Sequence, residues 1–225
     1  MDWKKLNVEI KIPTKIKRLL ILVIGTVCLT NILVEIMDYF SVEIYRAIKF
    51  FVPIITAIPS FMIYKIEGKK IKDLFAGKII YQLLCGIALG GILICLAAVI
   101  GGGLNVTVEA ALFERHVWYR IYITVYYLLI VGFMEEFIYR IVMQDYLVGM
   151  LGKAKILAPC ITAVAFSLCH YSAGGIDLLV HVFAWGMIWG YLRYFNKKVS
   201  YLALAVSHGV YDFGLLIIPL ALSWF

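Results

Sequence analysis

Lys78-Ile-Ile-Tyr-Gln-Leu-Leu-Cys-Gly-Ile-Ala-Leu-Gly-Gly-Ile-Leu-Ile-Cys-Leu-Ala-Ala-Val-Ile-Gly-Gly-Gly-Leu104 runs on without a charged residue after its first lysine. A helix needs about 20 apolar residues to cross a hydrocarbon core. In that medium every backbone N–H and C=O must be satisfied internally, which leaves helices or closed barrels. Barrel strands would show segments of roughly 10 alternating residues. A continuous run of this length predicts a helix instead.

The rest of the 225-residue chain agrees. It is 64% apolar and only 16% charged, with a mean hydropathy of +0.95. An ordinary soluble domain is about 45–50% apolar and about 25% charged. These values exclude the soluble, disordered and coiled-coil classes and predict an all-α, polytopic transmembrane bundle. About seven spans are expected, near 18–38, 46–64, 78–102, 118–147, 154–171, 176–195 and 199–222. Residues 1–225 are expected to form a single integral membrane domain. The basic N-terminus, with no small-x-small cleavage site before its apolar run, is expected to be a retained first span rather than a cleaved signal.

Charge orients this arrangement. Of the 21 lysines and arginines, sixteen fall on flanks that share a side with the N-terminus, four on the opposite flanks, and Arg140 within a span. The positive-inside rule then puts the N-terminus in the cytoplasm and the C-terminus outside. The net charge of +7 serves topology and anionic lipid, which argues against a nucleic-acid partner. The segment 103–117, with Glu109, Glu114, Arg115 and His116, is expected to be an interfacial element. Cys28, Cys85, Cys95, Cys160 and Cys169 lie in apolar runs without a C-x-x-C pair, which indicates neither a disulfide framework nor a zinc knuckle.

Each charged side chain near a span centre costs about 2.5–3.5 kcal/mol on insertion scales, so such residues mark function. The spans before residue 117 carry no motif. The fourth holds Glu135, Glu136 and Arg140, the fifth ends near His170, the sixth has His181 and the seventh His208 and Asp212. At about 1.5 Å per residue, Glu135, His170, His208 and Asp212 lie at overlapping depths of about 15–25 Å from the cytoplasmic loops. Glu136 and Arg140 are i,i+4 with the acid first, the favourable order for an ion pair. Glu135 diverges by about 100° and has no such partner, which suits a base; two acids sharing Arg140 as a folding lock is the alternative. His181 is expected to be a packing or interfacial histidine. Phe166, four residues before His170, is expected to fix that imidazole's rotamer. Gly86/Gly90 and Gly186/Gly190 form G-x-x-x-G pairs that permit close helix approach.

The segments Glu135-Glu136-Phe-Ile-Tyr-Arg140, Phe166-Ser-Leu-Cys-His170 and His208-Gly-Val-Tyr-Asp212, in order on separate spans, resemble the motif series of the CPBP family. That family comprises CAAX-prenyl endopeptidases and bacteriocin-processing (Abi) intramembrane proteases. Phe183-Ala-Trp-Gly186-Met-Ile-Trp-Gly190 is similar to its F-x-x-G-x-x-x-G segment. The resemblance implies a catalytic core over 118–215, within the C-terminal four spans. It implies an intramembrane endopeptidase acting on a membrane-associated peptide or protein through glutamate-activated water. Glu135 would be the base, holding the water with His170. His208 and Asp212 would face the oxyanion, and Glu136–Arg140 would brace the helix. Asp212 donates a hydrogen bond only when protonated; alternatively it accepts from His208 and orients it. Asp212 in place of the asparagine typical of the prenyl-protease branch, and seven spans rather than eight, favour a prokaryotic Abi-type protein of the cell membrane.

Rival chemistries remain. Zinc could be held by Glu135, His170 and His208, but there is no H-E-x-x-H spacing, and a cofactor-free mechanism is favoured. A cysteine mechanism through Cys169 has no second supporting motif, and a transporter lacks the broken-helix inverted repeat. A membrane scaffold or regulator, or a bacteriocin self-immunity protein of the same fold, is the main alternative. The substrate is not specified by these residues.

Overall fold

A computed structural model describes residues 14–75, 77–100, 117–196 and 199–222, with side chains to 218. Among them the chain forms seven helices and no strand: α1 (Thr14–Met37), α2 (Val42–Ile66), α3 (Ile79–Ile100), α4 (Val117–Met150), α5 (Ala158–Leu168), α6 (Tyr171–Phe195) and α7 (Tyr201–Leu222). Single 3₁₀ turns, Ile71–Phe75 and Gly152–Leu157, follow α2 and α4. All except α5 are long and apolar enough to cross a bilayer. The fold is a polytopic helical bundle. Residues 103–116, where an interfacial element was expected, lie outside the described residues.

The fifth span differs from its expected length. Residues 154–171 do not form one helix: Gly152, at a φ of 52°, turns the chain. Pro159 then sits in the first turn of an 11-residue α5, where its missing N–H costs nothing. The expected break between the fifth and sixth spans is also displaced. α6 begins at Tyr171, directly after a tight turn at Cys169–His170, and loses helical geometry only at Gly174 and Gly175. At Gly175 φ is +62°, a conformation that an L side chain resists.

Glycines set the helix spacing. A Cβ on Gly86 or Gly90 would lie within 3 Å of α7, against the Ala203 and Ser207 carbonyl oxygens, so α3 and α7 run in close contact. Gly186 and Gly190 seat α6 on Ala163, Phe166 and Pro159 of α5. The closest approach of a glycine to another helix's backbone was not anticipated. A Cβ on Gly132 of α4 would stand 2.4 Å from the Ala205 oxygen, and one on Gly209 of α7 2.7 Å from the Tyr127 oxygen.

α4 is not a uniform α-helix. Tyr126–Val131 and Phe137–Gln144 are π-helical, flanking a short α-helical segment, Gly132–Glu136. Such wide turns within α-helices are frequent at functional sites. Here they bracket the paired glutamates. The residues from Phe137 to Gln144 are all buried, and the main core gathers around them from α1, α2, α5 and α7.

Candidate active site

The crossing of α4 and α7 determines what meets what. With backbones in contact at Gly132 and Gly209, the next turn of α4 presents its carboxylates to the neighbour of Gly209 on α7. His208 Nδ1 lies 3.0 Å from Glu136 Oε1. Its Nε2 lies 3.6 Å from Glu135 Oε2 and 3.5 Å from Asp212 Oδ2. Three acids therefore surround one imidazole. Asp212 shares the His208 face of α7 as an i,i+4 neighbour.

Two aromatic rings hold the imidazole. Trp189 of α6 stacks on it with centroids 4.2 Å apart and planes 23° apart. Its indole N–H donates to Ser207 Oγ at 2.8 Å, which locks the tryptophan. The Phe166 ring meets His208 edge-on at 5.9 Å and His170 at 5.0 Å. The phenylalanine expected to order one imidazole contacts both.

The Glu136–Arg140 pair forms as expected, with Nε 3.4 Å from Oε2 and both side chains buried. The guanidinium also lies over the Phe166 ring, 5.3 Å from its centre. Glu136, however, is not occupied by Arg140 alone: its second oxygen serves His208. A sequence reading confined to i,i+4 neighbours cannot reveal a partner 72 residues away. Glu135 is the more accessible acid, with its side chain 17% exposed against 1% for Glu136.

That exposure opens onto a cavity of about 590 Å³. Thr30 and Val34 of α1 and Val52, Pro53 and Thr56 of α2 line one side. Glu135, His170, His208 and Asp212 line the other. The four residues named from sequence thus share one cavity. His170 sits in the α5–α6 turn, its Nδ1 3.0 Å from the Phe166 carbonyl oxygen.

Other wall residues carried little or no signal in the sequence. His181 is packed, as expected, but also faces the cavity. The Trp185 N–H donates to its Nε2 at 2.9 Å, and the Tyr211 hydroxyl lies 3.3 Å away. Tyr139, four residues after Glu135, donates to Cys169 Sγ at 2.7 Å. The thiol is buried in that contact. All five cysteines are free.

The zinc alternative requires Glu135, His170 and His208 to converge on one point. Among the described residues no group of three His, Cys, Asp or Glu side chains is placed to hold a metal ion. His208 Nδ1 is engaged by Glu136 and His170 Nδ1 by a carbonyl. The steps derived for this site use its own side chains and pass through no metal.

Residues 117–214 match the family model described as type II CAAX prenyl endopeptidase Rce1-like. No curated protein and no solved structure is matched. The matched segment begins at the first residue of α4 and takes in the paired glutamates, both imidazoles and Asp212, while α1–α3 lie outside it. The chain is thus an integral membrane protein whose C-terminal residues 117–214 are similar to the Rce1-like type II CAAX prenyl endopeptidases.

Proposed function

We propose that the protein is an intramembrane endopeptidase that hydrolyses a peptide bond in a membrane-associated peptide or protein, with Glu135 activating the water. One observation carries this reading: a partly exposed carboxylate and a ring-clamped imidazole, 3.6 Å apart, open together onto a largely apolar cavity between helices. Peptide hydrolysis needs a base for water, a donor for the oxyanion and a proton for the leaving amine.

Each need has a candidate. Glu135 takes the proton of a water shared with His170 and later returns it to the amine. His208 Nε2 faces the place where oxyanion charge develops. Its Nδ1–H is given to Glu136, which fixes the ring orientation, as a carboxylate does for a catalytic imidazole elsewhere. Asp212 donates to the oxyanion when protonated, or orients His208 when not. Arg140 offsets the charge of Glu136 and keeps that carboxylate out of the reaction. With His208 protonated, the three acids, the imidazole and the guanidinium stay within one charge of neutrality, which a low-dielectric interior demands.

The proposed substrate is an exported peptide precursor or a membrane-protein segment, drawn from the bilayer. The reading does not require a prenyl group. It places the protein in a prokaryotic cell membrane as one integral domain. The decisive experiment is Glu135→Gln in proteoliposomes with a library of membrane-anchored peptides. Wild type should cleave, and the variant, folded normally, should lose about 10²–10⁴ in rate. A variant that keeps both cleavage and the native phenotype would sink the base assignment. A phenotype kept without cleavage would favour a scaffold or immunity role.

A further inference from the structure

We infer that Asn31, on α1 and outside the segment 117–214, is a positioning residue for His170. The inference rests on the proposed catalytic use of His170, but its geometry stands independently. The Asn31 side-chain amide donates from Nδ2 to the Leu168 carbonyl oxygen at 2.9 Å. Its Oδ1 accepts from the Ser172 backbone N–H at 3.0 Å. The same Nδ2 is 2.9 Å from the Val27 oxygen, which ties the side chain to its own helix. One amide thus grips the chain two residues before His170 and two residues after it.

The turn needs such a hold. Before it lies the short α5, and two residues beyond Ser172 the helical geometry of α6 fails at Gly174 and Gly175. Leu168 and Tyr171 on either side of it are 40% and 58% exposed, while Cys169 is buried against Tyr139 on the α4 side, so Asn31 supplies the hold from α1. Within the turn, the His170 N–H donates to the Ser167 oxygen, and the His170 oxygen accepts from the Ala173 N–H. The imidazole is bonded to the Phe166 carbonyl. Its placement over the cavity therefore follows the placement of the turn, and Asn31 fixes the turn to α1. A carboxamide offers a donor and an acceptor side by side at this reach. Leu168 O is one of the carbonyls orphaned at the end of α5, and Ser172 N one of the amides orphaned at the start of α6.

Two variants test this in the full-length protein reconstituted in proteoliposomes. Asn31→Leu removes both arms at similar volume. Asn31→Asp keeps the acceptor for Ser172 N–H and loses the donor. Amide hydrogen exchange of the peptide spanning 168–176 reads the clamp, and peptide cleavage reads its consequence. Asn31→Leu should speed exchange in 168–176 alone and lower kcat on the order of 10–100-fold, as small misplacements of catalytic groups do. KM should stay within about two-fold. Asn31→Asp should recover part of both effects. In a His170→Ala background, Asn31→Leu should change kcat by less than about two-fold, because its effect passes through the missing ring. Unchanged exchange in 168–176 overturns the inference. So does faster exchange across all helices, or a kcat loss that persists in full without His170. If wild type cleaves no peptide, the proposed function fails, and exchange alone judges the clamp.

Discussion

α1 and the inner half of α4 are both apolar helices, yet they solve opposite problems. Of the 24 residues in α1, the buried ones are Leu22, Thr26 and Met37. From Phe137 to Gln144 in α4 every residue is buried, an arginine and a glutamine among them. α1 presents Leu20, Ile21 and Ile24 outward, so almost any apolar side chain serves there. In α4 each polar group must find a partner inside the protein, because none is available in lipid. Chemistry therefore collects where burial forces residues to specify one another, and the N-terminal helices frame it.

The sharpest way to break this contrast is to cut one ion pair in each half. Arg140→Ala leaves Glu136 buried without its guanidinium, and breaking such a pair costs about 3–5 kcal/mol. The bond from His208 to Glu136 keeps the loss toward the lower end. Arg18 and Glu67, joining α1 to the end of α2, are each about a third exposed. Arg18→Ala should cost less than about 1 kcal/mol. Denaturation in mixed micelles measures both; equal losses would erase the distinction between frame and core.

Next in size is the effect of the α7 imidazole on turnover. Removing one oxyanion donor costs about 10²–10³ in kcat, or about 2.7–4 kcal/mol of barrier. His208→Ala should show that loss with KM little changed, since the interaction is made chiefly in the transition state. Elemental analysis beside it sharpens the chemistry. Stoichiometric zinc in wild type, lost in His208→Ala, would overturn the metal-free mechanism and leave the protease assignment standing.

How far the sequence could be read follows the same division. The apolar runs located seven helices, six of them long enough to cross a bilayer, because lipid imposes one simple rule on long segments; the fifth expected span is only the 11-residue α5. The G-x-x-x-G pairs announced close packing but not its partners, which proved to be α7 for Gly86/Gly90 and α5 for Gly186/Gly190. The depth estimate for Glu135, His170, His208 and Asp212 placed them at one level, and the structure puts all four on one cavity. What escaped was non-local or irregular: the Glu136–His208 bond across 72 residues, the Trp189 stack, the π-helical turns of α4 and the shortness of α5. Periodicity reports which face a residue takes, not which helix that face will meet.

The α4–α7 crossing tests whether backbone contact, rather than side-chain attraction, brings the acids to His208. Gly209→Ala would set a methyl group 2.7 Å from the Tyr127 carbonyl oxygen and 2.9 Å from Leu128 Cα. Overpacking of this kind costs about 1–3 kcal/mol. Because the helices must separate, cleavage should fall with stability even though no reacting group is touched. Loss of stability with full activity would mean that the site tolerates a wider crossing than the geometry implies.

The smallest expected effect reverses sign between adjacent residues of α3. Gly90 and Gly91 are adjacent glycines of one helix, but the G-x-x-x-G spacing from Gly86 singles out Gly90 alone. A Cβ on Gly90 would stand 2.7 Å from Val210 Cγ1 and 2.8 Å from the Ser207 oxygen, while one on Gly91 would meet nothing within 4 Å. Gly91→Ala therefore relieves the entropic penalty of glycine within a helix and should stabilise by about 0.5–1 kcal/mol. Gly90→Ala gains the same amount and then loses more, because the Ser207 carbonyl belongs to backbone that also carries His208. It should destabilise, and it should lower cleavage where Gly91→Ala leaves it unchanged. Midpoints of unfolding for the two variants, measured side by side, check the sign. If both stabilise, α3 is frame throughout, and the boundary between frame and core falls at α4.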